Sequence, residues 1–118
     1  MLKKTSLAGI GLLSVVTISA FAAAQQEAPA KNPFAGDAKS VSEGSDIFKK
    51  NCESCHGAGG KGDICPPLTT KNKKYGNTDG DLFLTISKGR PGGMPSWNAT
   101  LSAERIWKVI TYIRSIEK

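Results

Sequence analysis

A chain of 118 residues, 39% hydrophobic and 22% charged with a net charge of +6, is long enough for one small domain and too short for several. Aromatic residues make up 7%, and no aromatic platform is interleaved with the basic residues, which argues against nucleic-acid binding despite the positive charge. Three cysteines and a single histidine confine any thiol or metal chemistry to a short list of residues.

Lys3 and Lys4 precede an apolar run from Leu7 to about Ala24, broken by Gly9, Gly11 and scattered Ser and Thr. Ala20-Phe21-Ala22 or Ala22-Ala23-Ala24 fits a small-residue cleavage signal, and polar Gln25-Gln26-Glu27 follows directly. Residues 1–24 are therefore expected to be a secretory signal peptide. The alternative is a retained membrane anchor, since about 18 apolar residues can just span a bilayer. On either reading the remainder is exported, and without a second hydrophobic span its expected destination is the periplasm. Cleavage leaves 94 residues and removes Lys3 and Lys4, so that 14 basic residues face 10 acidic ones, a net charge of +4.

Residues 25–40, rich in Ala, Pro and polar side chains from Gln25 to Pro33, read as an extended lead-in. A domain covering 41–118 follows. Its first helix is expected to begin near Val41, with Ser40 as N-cap and Glu43 as the capping-box partner. It carries Val41, Ile47 and Phe48 and delivers Cys52 at its end.

Cys52-Glu53-Ser54-Cys55-His56 is the haem-attachment pattern C-x-x-C-H. One helical turn brings both thiols to one face, where each can form a thioether to a porphyrin vinyl group. His56 can then give a ring nitrogen to the iron as proximal ligand. Two rival readings use the same residues. A redox dithiol expects a thioredoxin-like βαβ context, which does not follow. A zinc site would need Cys52, Cys55, His56 and Cys65, but adjacent Cys55 and His56 make a poor tetrahedral pair. Export supports the haem reading independently, because c-type haem is attached outside the bacterial cytoplasm. With so small a core, the haem-free chain is expected to be largely unfolded. Cys65 is the odd thiol, read as a small buried turn residue, with an intermolecular disulfide or a reactive thiol as the alternatives.

Two long connectors rich in Gly and Pro, Gly57 to Asn77 and Gly89 to Thr100, are unusual in a compact domain unless they wrap something. Between them a second helix is expected over about Asp79–Lys88, capped by Thr78 with Asp81, striped by Leu82, Phe83 and Ile86, and stopped by Gly89. Within the second connector, Gly92-Gly93-Met94-Pro95 places the one methionine left after cleavage in an irregular loop. Glycines permit close backbone approach, and Pro95 holds Met94 extended. Because Met is the common partner of His at haem iron, His56 and Met94 are the expected metal ligands. A third helix is expected over Ala103–Ile116, capped by Ser102, with Leu101 stapled onto Ile106 and an apolar face of Ile106, Val109, Ile110, Ile113 and Ile116. No run alternates with period two for long, so the expected fold class is all-α, three main helices with long loops around one covalently bound haem.

Residues 41–117 resemble the class I monohaem c-type cytochromes, the bacterial and mitochondrial cytochrome c family. The resemblance implies that the first and last helices cross through Gly44 and Phe48 against Val109 and Tyr112. The family's Gly-Pro-x-Leu corresponds to Cys65-Pro66-Pro67-Leu68, so the carbonyl of Pro66 is expected to accept from the ring N–H of His56. Cys65 departs from the family's Gly, which questions the local turn. Tyr75 and Trp97 each carry a polar tip able to reach a haem propionate.

The function implied is one-electron transfer, since iron ligated on both faces leaves no position for substrate. The chain is thus expected not to be an enzyme, and to be a monomer. Lys49, Lys50, Lys71, Lys73, Lys74, Lys88 and Arg90 are candidates for a basic rim that steers acidic redox partners. The lead-in Asn32-Pro33-Phe34-Ala35-Gly36-Asp37 is similar to that of short cytochromes accompanying quinoprotein (PQQ) alcohol dehydrogenases, and the domain also resembles the cytochrome c subunit of cbb3-type oxidases. These imply a periplasmic dehydrogenase as donor and a terminal oxidase or another cytochrome as acceptor. A labile Met94 would instead leave a gas sensor or a peroxidase-like protein.

Overall fold

The computed structural model describes residues 31–118 together with Gly9 and Gly11; the rest of the expected signal peptide and residues 25–30 of the lead-in lie outside the described residues. Among the described residues four α-helices form: α1 Ala38–Asn51, α2 Glu53–His56, α3 Asp79–Lys88 and α4 Ala103–Ile116, with a 3-10 turn at Ala58–Gly60. Among the described residues the only β pairing is an isolated bridge between Arg90 and Met94.

α1 starts three residues before the expected position. Asp37, not Ser40, is the N-cap, and its carboxylate accepts from both the backbone N–H and the hydroxyl of Ser40 at 2.9 and 2.5 Å. An Asp is as good an N-cap as Ser, and Ser40, fully buried, is worth more inside the first turn. Glu43, expected to close a capping box, instead pairs with Lys108 of α4. The lead-in is correspondingly shorter and is not extended where it is described. Residues 33–36 form a turn, and the buried Asn32 amide donates to Thr111 Oγ1 at 2.8 Å and to the Trp107 carbonyl at 3.3 Å.

α3 and α4 have the expected bounds. The Thr78–Asp81 capping box is complete, with Gly89 at the far end, and Ser102 caps α4. The core joins Ile47 and Phe48 of α1, Leu82 and Ile86 of α3, and Leu101, Ile106, Trp107, Val109, Ile110 and Ile113 from α4 and its approach. Trp107 and Thr111 widen the buried face of α4 beyond the expected aliphatic stripe, while Ile116 is only half-buried.

α1 and α4 cross at Gly44. A methyl group there would collide with the Lys108 carbonyl and stand 3.1 Å from Tyr112 Cβ. The Phe48 and Tyr112 rings meet a turn further on, 5.2 Å between centroids. Val109 is buried in the same core, and the atoms nearest to an added methyl belong to Lys108 and Tyr112.

Candidate haem-binding site

Cys52 serves two helices at once, as C-cap of α1 and N-cap of α2. Its carbonyl accepts from the N–H groups of Cys55 and His56 at 3.2 and 3.0 Å, so the C-x-x-C-H segment winds as one short turn. All three cysteines are half-buried free thiols. Burial, with the neighbouring Cys55 thiol, pushes the Cys52 thiol up to about 11. A redox-active pair favours the opposite, a thiol lowered toward neutrality, so the raised Cys52 thiol speaks against the dithiol reading. The zinc reading fails on placement: among the described residues no three His, Cys, Asp or Glu side chains cluster closely enough to hold an ion.

His56 Nδ1 lies 2.9 Å from the carbonyl oxygen of Pro66. That contact assigns the ring proton to Nδ1 and leaves Nε2 as the free donor, as an outer hydrogen bond does for a metal-binding imidazole. The loop is folded back by two further bonds, Gly62 N–H to the His56 carbonyl at 2.7 Å and Cys65 N–H to the Cys55 carbonyl at 2.9 Å. The doubt attached to Cys65 is thereby removed. Among the described residues every positive φ belongs to a glycine, so the backbone at Cys65 is one that any L-residue adopts. Its thiol is not isolated either. Burial, a hydrogen bond with the Cys55 thiol and the nearby Asp63 carboxylate together raise its pKa.

Met94 is half-buried and packs on the main core together with Cys52, Leu68, Phe83 and Trp97. These side chains come from separate segments yet border one apolar centre, and each keeps part of its surface outside it. Two thiols on one turn, an imidazole with Nε2 free, a thioether and an apolar border form a donor set that fits a haem. Trp97 is held by its backbone N–H on the Ile86 carbonyl at 3.1 Å. Tyr75 stands apart, 38% exposed, with the Arg90 guanidinium 4.4 Å and Lys74 Nζ 5.3 Å from its ring centroid.

Two groupings of residues were not legible in the sequence, although several of their members were singled out there. Arg90 links Tyr75 to the Met94 turn. Arg114 bonds Asp79 Oδ1 at 2.9 Å, Asn77 Oδ1 at 2.8 Å and Glu117 Oε1 at 2.8 Å, and Glu117 also receives Lys73 at 2.6 Å. The i,i+3 spacing of Arg114 and Glu117 was the available signal for the second group. Lys73 leaves the expected basic rim, because its side chain is only 8% exposed and is committed to Glu117.

The helix crossing and the C-x-x-C-H turn backed by the Pro66 carbonyl define a class of protein, the monohaem c-type cytochromes, which carry electrons on a covalently attached haem c. The chain belongs to the family described as cytochrome C oxidase, cbb3-type, subunit III, whose model matches residues 39–113. It is 40% identical over 79 residues to the cbb3-type cytochrome c oxidase subunit FixP of Bradyrhizobium diazoefficiens, covering 64% of this chain and 27% of that protein. It is 32% identical over 92 residues to the subunit CcoP of Azospirillum brasilense, covering 72% of this chain and 31% of that protein. The chain thus spans about a third or less of these relatives. Among solved structures, cytochrome cL from Hyphomicrobium denitrificans superposes with a TM-score of 0.72 at 32% identity, covering 75% of this chain and 54% of that one. Cytochrome cL from Methylophaga aminisulfidivorans gives 0.71 at 26% identity, covering 74% and 59%.

Proposed function

We propose that this protein is a periplasmic, non-enzymatic one-electron carrier in which Cys52 and Cys55 hold the haem and His56 and Met94 ligate its iron. The observation that carries the reading is the His56–Pro66 contact, which leaves Nε2 of the sole histidine as a donor beside both thiols. When bound, the haem supplies a one-electron ferric/ferrous couple. The chain's part is to orient the imidazole, present the thioether of Met94 and keep an apolar border around both. Thioether ligation and an apolar surround each favour the ferrous state and raise the potential. Tyr75 and Trp97 are the candidates to meet the propionates.

The donor is proposed to be a periplasmic dehydrogenase, of which the quinoprotein alcohol dehydrogenases are the leading class, and the acceptor a terminal oxidase or another cytochrome. The relatives named as cbb3-type oxidase subunits support the acceptor side. The resemblance to short cytochromes that accompany quinoprotein dehydrogenases supports the donor side. Lys49, Lys50, Lys71, Lys74 and Lys88 are all exposed and are proposed to steer these encounters. The expected export signal supports the location; among the described residues no helix is long and apolar enough to cross a membrane.

Optical spectra of the purified protein test the site. Oxidised protein should be low-spin with a sulfur-to-iron charge-transfer band, and high-spin iron that binds carbon monoxide readily would favour a sensor or peroxidase-like protein instead. Reduction rates with quinoprotein and other dehydrogenases at low and high salt test the partners; equal rates with all of them would count against the donor assignment.

A further inference from the structure

Arg90 joins three segments around the Met94 turn. Its Nε and Nη2 donate to Thr85 Oγ1 of α3 at 3.1 and 2.9 Å. Its guanidinium stacks on the Tyr75 ring at 4.4 Å, within cation–π range. Its backbone N–H donates to the Met94 carbonyl at 3.1 Å, closing the Arg90–Met94 bridge. A side chain serving only as a surface charge would leave its head in water, whereas this one is fixed at the tip on two sides.

The turn between the bridged residues cannot fix itself. Gly92 and Gly93 have φ of +99° and +119°, and no atom beyond the adjoining residues lies within 4 Å of where a Cβ would stand on either. The placement of Met94 therefore depends on what holds the two ends. On the far side Ser96 Oγ donates to the Ser87 carbonyl at 2.7 Å and Trp97 N–H to the Ile86 carbonyl at 3.1 Å. On the near side the anchor is Arg90.

We propose that Arg90, clamped between the Tyr75 ring and Thr85, is a positioning residue that holds the Met94 thioether on the iron and limits its replacement by an external ligand. This rests on the reading of Met94 as an axial ligand. A long side chain pinned at its guanidinium cannot pivot freely about its Cα, so its N–H stays aimed at the Met94 carbonyl. Tyr75 then acts through its ring face, and its hydroxyl is dispensable for this purpose.

The test uses the exported, haem-loaded protein and two readouts, the sulfur-to-iron band of the oxidised form and carbon monoxide binding to the reduced form. Arg90→Ala and Tyr75→Ala should weaken the band and raise the apparent carbon monoxide affinity on the order of tenfold, the scale of one cation–π contact. Tyr75→Phe keeps the ring on which Arg90 stacks and should hold carbon monoxide binding closer to the wild type than Tyr75→Ala does, whatever the lost hydroxyl costs at a propionate. Arg90→Lys keeps the charge but loses the forked contact with Thr85, and should fall between wild type and Arg90→Ala. Because Tyr75 is exposed, its variants remain informative if those at Arg90 fail to mature. Wild-type carbon monoxide binding in both Tyr75→Ala and Arg90→Ala, with the band intact, would overturn the positioning role alone. A wild-type protein without the band would instead overturn the assignment of Met94 as ligand.

Discussion

Gly44 of α1 lies directly against the carbonyl of Lys108 on α4, with no room for a side chain between the two backbones. The first and last helices among the described residues meet there. Gly44→Ala forces them apart or displaces Tyr112, whose Cβ is 3.1 Å from the added methyl. Overpacking of this kind costs about 3 kcal/mol. Thermal unfolding of the haem-loaded protein should show a clearly lowered midpoint, with Gly44→Val lower still or failing to accumulate.

Substitution at the proposed sixth ligand separates attachment from ligation. Met94→Ala should leave the haem covalently bound and abolish the sulfur-to-iron band. Its potential should fall by on the order of 100 mV or more, within the span of about 0.8 V that axial ligands cover. His56→Ala should impair maturation itself and yield little haem-loaded protein. An unchanged spectrum and potential in Met94→Ala, measured by redox titration, would remove Met94 from the site.

Glu117 ties the loop that carries Tyr75 to the end of the chain. Its carboxylate is only 6% exposed and receives both Lys73 and Arg114. Beside it the Lys118 N–H donates to the Thr69 carbonyl at 2.8 Å. Glu117→Gln keeps the volume but leaves the nearly buried Lys73 with the Thr70 carbonyl in place of a carboxylate, a loss of about 3 kcal/mol in chemical denaturation. Removing both partners together, as Lys73→Met with Glu117→Leu, should recover much of that loss, because no unpaired charge remains.

Acid should weaken the cap of α1. The Ser40 hydroxyl and N–H both donate to the Asp37 carboxylate and hold its pKa below the ordinary 3.8. A folded pKa below the unfolded one contributes stability that is complete above the unfolded value and lost as pH falls through the folded value. Asp37→Asn keeps a capping oxygen but cannot titrate there. The stability advantage of wild type over Asp37→Asn should therefore hold above about pH 5 and shrink as pH falls below the ordinary 3.8. A constant difference across that range would show that the carboxylate charge does not matter.

Helices were legible wherever one local rule dominated. The Thr78–Asp81 box and Gly89 bracket α3, and Ser102 with a regular aliphatic stripe brackets α4, so both matched the expected bounds. α1 was misplaced because Asp37 and Ser40 are both good caps, and only burial of Ser40 decides between them. Lys73 and Arg90 read as free surface charges because their partners are remote in sequence: Glu117 lies at the far end of the chain, while Tyr75 and Thr85 belong to a different loop and helix.

Local order in the chain determined the proposed chemistry by itself: C-x-x-C-H needs only one helical turn to align two thiols and an imidazole, and a single His leaves no rival for the proposed proximal ligand. The tertiary fold decided what no local pattern encodes. It brought the Pro66 carbonyl to Nδ1 of His56, the Lys108 carbonyl onto Gly44 and the Arg90 side chain between Tyr75 and Thr85. Each of these is a contact between segments whose separation along the chain carries no periodic signal. Their formation depends on the summed burial of the whole core and not on the propensity of any one segment.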